Sequence, residues 1–470
     1  MHATPNARTR RPLLALVAML IGGPALAAAP VPPTGTQLFG IPTEFILFAA
    51  TLLGVASFHR HTLVVALTGL AAITGFKLAV TGFHAGPGLT GLLAHLGHEW
   101  VILANLLGLL LGFALLARHF EDSRIPLLLP RFLPAGWPGG FVLLVMIFVL
   151  SSFLDNIAAA LIGGTVAAGV FGHRVHLGYL AAIVAAANAG GAGSVVGDTT
   201  TTMMWISGIG PLEVVHAYIA AGVALAMFGI PAAIQQQRCG ATMQEVPAGV
   251  RVDWTRVGIV ATILGVAVAT NVLVNLHLKA AAGSFPFLGA AVWVAILATA
   301  ALRRPDWGLL PEAFKGSLFL LSLVICASMM PVEQLPPASW PSALALGFVS
   351  AVFDNIPLTA LALKQGGYDW GVLAYAVGFG GSMIWFGSSA GVALSNLYPQ
   401  AKSVGGWVRD GWHVILAYVL GFAALLSILG WQPRQPPSGA AQSATAAQCC
   451  ASSHCDPPAA GQESHLSMRL

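Results

Sequence analysis

The sequence predicts an all-α polytopic membrane protein folded as two inverted repeats, each with a re-entrant hairpin and a broken helix. Three observations carry that prediction. First, the 470 residues are 57% hydrophobic and only 8% charged, where a soluble domain carries about 25% charged residues. Second, many apolar runs reach the ~20 residues that cross a bilayer, whereas a barrel would show short alternating segments. Third, an Asp-Asn-Ile triplet interrupts an apolar run twice, in "SSFLDNIAAALIGG" (151–164) and "SAVFDNIPLTALAL" (350–363).

Taken in order, the chain opens with Arg8, Arg10 and Arg11, an apolar stretch from Leu13, and "PALAAAP". Residues 1–29 thus read as a signal peptide with an Ala-x-Ala site or as an uncleaved first transmembrane helix. Either places residue 35 outside the cytoplasm. Apolar spans follow at 39–58, 62–82 and 99–118. A longer stretch at 139–172 is interrupted by Asp155-Asn156, and another at 177–209 by "NAGGAGSVVGD". A plain span at 213–234 completes the first repeat, 39–234. The polar segment 235–253 reads as a cytoplasmic linker. The second repeat, 254–431, runs through 255–276, 285–302, 316–335, a hairpin at 340–364, a broken helix at 368–401 and a last span at 410–430. The tail, 432–470, is rich in Pro, Ser, Ala and Gln and reads as disordered. Five cysteines are too few for a disulfide scaffold.

Cationic residues gather on the cytoplasmic side of membrane proteins. Arg60, Arg118, Arg124, Arg131, Arg174, Arg238, Arg251, Arg256, Arg303, Arg304 and Lys315 all fit one topology. Lys364, on the outer side, is a mild exception. Both ends of 139–172 are then cytoplasmic, and each half is about 16 residues, marginal for a span. A hairpin turning at Asp155-Asn156 satisfies both facts, and the Asp354 stretch enters from the opposite side. Inverted repeats with matching broken helices mark secondary transporters, whose site lies where unwound backbone lines a cavity at the midplane.

The candidate site residues follow from chemistry. Asp155 and Asp354 sit where a charge costs roughly 2.5–3.5 kcal/mol. Each could instead cap a half-helix, and the two roles are compatible. Asn156 and Asn355 offer an amide oxygen to a cation, or a hydrogen bond to a neighbour. In "NAGGAGSVVGDTTTT" (188–202), Gly190 and Gly191 allow unwinding, Asn188, Ser194 and Thr199 add polar groups, and Asp198 adds a third carboxylate. Close packing of small residues is the plainer alternative there. The counterpart "GFGGSMIWFGSSAG" (378–391) has Gly381, Ser382, Ser388 and Ser389 but no acid. "HLGHEW" (95–100) does not form a His-Glu-x-x-His zinc motif and reads as a solvated helix start. "CCASSHC" (449–455) has soft-metal ligands, but on a tail that reads as disordered. Lys77, inside an apolar span, either snorkels or pairs.

At "FLDNIAAAL", "NAGGAGSVVGDTTTTMMW" and "FDNIPLTAL" the sequence resembles the ion transporter superfamily with its citrate transporter-like domain, and is most similar to NhaD-type sodium/proton antiporters. The resemblance covers roughly residues 39–431. It implies the inverted-repeat ion-transporter fold, a scaffold domain that is often dimeric, and a transport domain of two hairpins and two broken helices with elevator-like movement. It also implies a bacterial-type inner membrane, no cofactor, and Na⁺ and H⁺ as transported ions. Carried onto this chain, the ion-site residues are Asp155, Asn156, Asn188, Ser194, Asp198, Thr199, Asp354 and Asn355. Two positions depart from the NhaD-type pattern: Ala158 stands where Pro is usual, and Gly193-Ser194-Val195 where Trp-Ser-Pro is usual.

Three functions compete on these residues. A cation/proton antiporter lets sodium and protons compete for the same buried oxygens. A cation-coupled citrate or dicarboxylate transporter needs helix N-termini, hydroxyls and an Arg; the hydroxyls are present, an obvious buried Arg is not. An intramembrane aspartyl protease would need Gly-x-Gly-Asp, where this chain has Val195-Val196-Gly197-Asp198. The pattern therefore reads as transport of a small cation and a proton, with an organic anion as the alternative cargo. It points neither to an enzyme nor to a nucleic-acid binder.

Overall fold

The computed structural model describes residues 37–434 other than 39, 59–60, 85, 173, 241–249, 279–280 and 282. The predicted leader (1–29), Arg60, most of the linker, and the tail with its "CCASSHC" segment lie outside the described residues. Within them are eighteen α-helices and one short hairpin pairing β1 (Gln37–Leu38) with β2 (Ile41–Pro42). Six helical segments are long and apolar enough to cross a membrane. The chain is an all-α polytopic membrane protein.

The helices follow the predicted order. α1 (Thr43–Ser57), α2 (Thr62–Phe76, continued by a π turn at Lys77–Thr81) and α3 (Gly88–Asp122) come first. The first interrupted stretch is α4 (Trp137–Ser151) and α5 (Asn156–Val170). The second is α6 (Leu177–Ala192) and α7 (Thr199–Ile206). The short α8 (Pro211–Val215) leads into α9 (Ala217–Cys239). The plan then recurs as α10 (Trp254–His277), α11 (Phe287–Thr299) and α12 (Leu310–Ser328). The interrupted pairs are α13 (Trp340–Ser350) with α14 (Asn355–Gln365), and α15 (Trp370–Gly380) with α16 (Ser389–Leu397). A short α17 (Val404–Asp410) and α18 (Trp412–Leu429) close it.

Local chemistry explains the interruptions. α4 and α13 both begin on a Trp-Pro pair, with proline in the first turn where its missing N–H costs nothing. Each stops four residues before an aspartate whose side chain accepts a free N–H from the second residue of the next helix. Asp198 caps α7 in the same way, six residues after α6 ends. A carboxylate that caps one helix cannot continue the previous one, because the cap residue has extended backbone.

Two hydrophobic cores organise the packing. The larger runs through α4–α7, α9, α13–α16 and α18 and continues onto α3, α10 and α11. The smaller is built by α1, α2, α3 and α12, closed by Met203 of α7 and Ile356 and Ala360 of α14. At one end of the bundle Arg118 meets Asp306, Arg256 meets Asp122, and Arg303 meets Asp253. These ion pairs draw together the ends of α3, α10 and the loop before α12, three of the places that the charge pattern had put on one side. Surface pairs of this kind contribute little stability, so their value here is as markers of which ends are neighbours.

A candidate ion site where four helices begin

The N-termini of α5, α7, α14 and α16 meet in the interior. Asp155 Oδ2 accepts from Ile157 N at 3.1 Å and Asp354 Oδ1 from Ile356 N at 3.0 Å. Asp198 Oδ1 accepts from Thr200 N at 3.2 Å. Ser388 Oγ takes the corresponding place on α16, accepting from Gly391 N at 3.3 Å. The capping role considered from sequence for Asp155 and Asp354 is therefore real, and Asp198 caps α7 as well. It uses one oxygen of each and leaves the other for a second task.

Two of those second oxygens have partners from elsewhere. Asp198 Oδ2 accepts from Asn355 Nδ2 at 3.3 Å, and Asp354 Oδ2 accepts from Ser389 Oγ at 2.9 Å. Asp198 also lies within electrostatic reach of both Asp155 and Asp354. Asp198 is only 2% exposed; Asp155 and Asp354 are half-buried. Among the described residues no Lys or Arg pairs with any of the three.

Asn188 is the polar hub. It is fully buried. Its amide donates to Ser382 Oγ at 2.9 Å and Ser388 Oγ at 3.1 Å, and its oxygen accepts from Asn156 Nδ2 at 3.0 Å. Both of its N–H groups and one lone pair are thereby used, as a buried amide requires. The hub ties the first repeat (Asn156, Asn188) to the second (Ser382, Ser388). Asn355–Asp198 ties them a second time.

Of the sequence-predicted residues, Asp155, Asn156, Asn188, Asp198, Asp354, Asn355, Ser382 and Ser388 lie in this junction. Ser194 and Thr199 are half-buried and contribute differently. The Ser194 hydroxyl accepts from Val196 N within the break, and the Ser194 carbonyl accepts from Thr201 Oγ1. Thr199 is the first residue of α7. Gly190 and Gly381 act through close approach. A Cβ on Gly190 would collide with the Phe148 carbonyl, and one on Gly381 would press on the Gly387 carbonyl. Gly191 approaches the Gly197 carbonyl in the same way.

Four contributors were not among the chosen candidates. Ser151 Oγ donates to Ala187 O at 2.6 Å, and Ser350 Oγ to Val377 O at 2.7 Å. Each ties a hairpin helix to its broken helix at equivalent places. The signal was present: a serine stands four residues before each Asp-Asn pair. Ser389 was recognised as part of its motif but not as the partner of Asp354. Tyr218 of α9 donates to Gly190 O at 3.2 Å, and nothing in its local sequence marks it.

"HLGHEW" departs from the expected solvated helix start. α3 begins earlier, at Gly88. His95 is half-buried, 3.0 Å from Ser328 Oγ, with its ring stacked on Phe83. Lys77 is buried, with its ammonium 5.7 Å from the centre of the Phe83 ring. Among the described residues, no cluster of His, Cys, Asp and Glu has the makings of a metal site.

No family model matches the chain. Sodium/proton antiporter 1 of Arabidopsis thaliana is 27% identical to it over 336 residues, covering 62% of this chain and 55% of that protein. Sodium/proton antiporter 2 of the same plant is 26% identical over 314 residues, 58% of this chain and 74% of its own length. The Na⁺/H⁺ antiporter NhaD of Vibrio parahaemolyticus is 27% identical over 350 residues, covering 62% and 80%. The chain is similar to sodium/proton antiporters of the NhaD type. The likeness read from the three motifs therefore holds, and it extends to plants. The match spans little more than half the length of the first of these relatives. Their names are those of transporters, not of enzymes.

Proposed function

We propose that this chain is a secondary active transporter that exchanges sodium, or a similar small cation, for protons. The observation that carries the reading is the charge at the junction. A helix N-terminus is equivalent to roughly half a positive charge. The four that meet here offset about two of the three carboxylate charges, leaving about one negative charge. One monovalent cation or one proton neutralises that remainder, and an interior of low dielectric demands that something does. The two ions then exclude each other at the same oxygens, which is the requirement for exchange. Asp155, Asp198 and Asp354 carry the charge. Asn156 and Asn355 orient it, and the amide, hydroxyl and backbone oxygens of 188–199 and 381–389 complete the shell.

A net negative remainder disfavours a citrate or dicarboxylate cargo, which would need a cation bound first. Movement is of the elevator type in this reading. α4–α9 and α13–α18 carry the site past α1–α3 and α10–α12, and the sliding face comprises the places where α7 and α14 enter the smaller core and where the larger core continues onto α3, α10 and α11. α4–α5 and α13–α14 serve as re-entrant hairpins entering from opposite sides. The host membrane is a bacterial-type inner membrane, and a homodimer through the static helices fits the scaffold role.

The decisive measurement uses everted vesicles carrying the full chain. Na⁺, Li⁺ and K⁺ are compared for their ability to dissipate a preformed pH gradient, alongside uptake of labelled citrate. Sodium-driven proton release that disappears in Asp155→Asn is the expected result. Sodium-dependent citrate uptake with no proton release would replace antiport by symport.

A further inference from the structure

The two ends of α2 meet different surroundings. At the end near residues 58–61 there is a cavity of about 450 Å³ lined by Ser57, Phe58, His61, Trp385, Val392 and Lys402, among others. Trp385, in the break before α16, and Val392, on α16, put this cavity against the element whose first turn carries Ser388 and Ser389. At the opposite end, where Thr74 meets Met329 just before the π turn at Lys77–Thr81, a group of polar contacts joins α14 to the end of α12. Lys364, in the last turn of α14, donates from Nζ to Ser328 O and to Met330 O, both at 2.6 Å. Those carbonyls belong to the C-terminus of α12, the negative end of its dipole, where an ammonium is favoured. Gln365 adds a bond to Pro336 O at 2.7 Å. His95 of α3 holds the Ser328 hydroxyl from the other side.

We infer that Lys364 is a positioning residue: a latch that holds α14, and with it Asp354 and Asn355, against the end of α12, keeping the site closed on that face while it is open toward residues 58–61. α14 is only eleven residues long. Its first turn carries the site and its last turn carries the latch, so one cannot move far without the other. The latch is a cation in surroundings that also hold Glu333, Glu99 and Lys77 within electrostatic reach. When α14 leaves α12, the ammonium finds carboxylates or water nearby, so the bond breaks without stranding a charge. The inference rests on the transport reading for its purpose, but the contact itself is tested without transport.

The experiment uses the full chain with its five native cysteines replaced by serine. Val392→Cys, on the cavity wall, is labelled with N-ethylmaleimide in native membranes. Loss of the latch should shift the population away from the conformation open toward 58–61. Lys364→Met should therefore slow labelling by about threefold or more, and Lys364→Arg, which keeps a cationic donor, should restore the original rate. Unchanged or faster labelling in Lys364→Met overturns the latch, as does equal slowing in Lys364→Arg. Should Lys364→Met fail to fold, Lys364→Gln, with a neutral donor, takes its place under the same criteria. A protein that labels as expected yet fails to exchange sodium for protons leaves the latch standing and removes the antiport reading instead.

Discussion

The break at 193–198 and the break at 381–388 share a backbone plan and differ in the residues that face each other across the junction. Asp198 caps α7 where Ser388 caps α16. Asn188 reaches across to Ser388, whereas Gly378, at the matching place on α15, leaves room in which Asp198 Oδ2 approaches its backbone. The surrounding scaffold does repeat. Ser151 and Ser350 make the same bond to the broken helix beside them, and Gly190 and Gly380 both lie against a hairpin carbonyl. The lesson is that duplicated backbone builds the chamber, while substitutions in one copy decide its charge. A fully symmetric junction would hold either four carboxylates or two. Three leave about one uncompensated charge beside four helix N-termini, and on that remainder the proposed exchange of a monovalent cation for a proton rests.

The sharpest way to break this comparison is to erase the charge difference. A cation about 4 Å from a carboxylate gains roughly 4 kcal/mol at an effective dielectric near 20. Allowing for desolvation, Asp198→Ser should weaken apparent sodium affinity by about a hundredfold in vesicle assays of proton release. Adding Ser388→Asp to that variant moves the carboxylate to the other break, where the Asn188 amide can receive it. Partial recovery would show that the number of charges matters more than their side; none would show that position is decisive.

Next in size is the hub. Asn188→Gly copies Gly378 and leaves the Asn156 amide and the Ser382 hydroxyl without their partner, while Ser388 keeps its bond from Gly391 N. At about 1 kcal/mol or more for each buried group left unsatisfied, plus about 1 kcal/mol for glycine in a helix, the loss should reach about 3 kcal/mol. A thermal unfolding curve in detergent reads it, and an unchanged midpoint would mean that water fills the space.

Gly190→Ala and Gly380→Ala test the shared scaffold instead. Each places a methyl group against the carbonyl of a hairpin helix, Phe148 or Gly347. Both should cost about 1–3 kcal/mol through backbone displacement. The prediction is equality, and a large difference between the two would contradict the repeat.

The smallest effect contrasts the first helix of each half. α1 starts on Pro42 with no side-chain cap, whereas α10 starts on Asp253, which accepts from Thr255 N and Arg256 N. The hydrogen bond from Arg303 holds the Asp253 carboxyl below the usual range. A carboxyl lowered in the folded state adds stability above its unfolded pKa and loses it as pH falls through the folded one. Acid titration of unfolding should therefore show a shallow loss in the native chain that Asp253→Asn lacks.

Most of the fold was legible from one dimension. Apolar run lengths, the doubled Asp-Asn-Ile, and glycine-rich interruptions follow from rules that act locally: bilayer thickness, helix capping, and the cost of burying a charge. They located every helix pair and all three carboxylates. What the sequence left undecided was pairing across the chain. Asn188 with Ser388, Asp198 with Asn355, Asp354 with Ser389, and Lys364 with the end of α12 join residues far apart in sequence, and no periodicity encodes such partners. His95 shows the same limit: its neighbours in sequence suggest a wet helix end, and only the arrival of α12 makes it a half-buried partner of Ser328. Local chemistry settled where helices stop; only the packing of the two halves together decided which side chains meet there, because a buried polar group takes whichever partner the tertiary fold brings within reach.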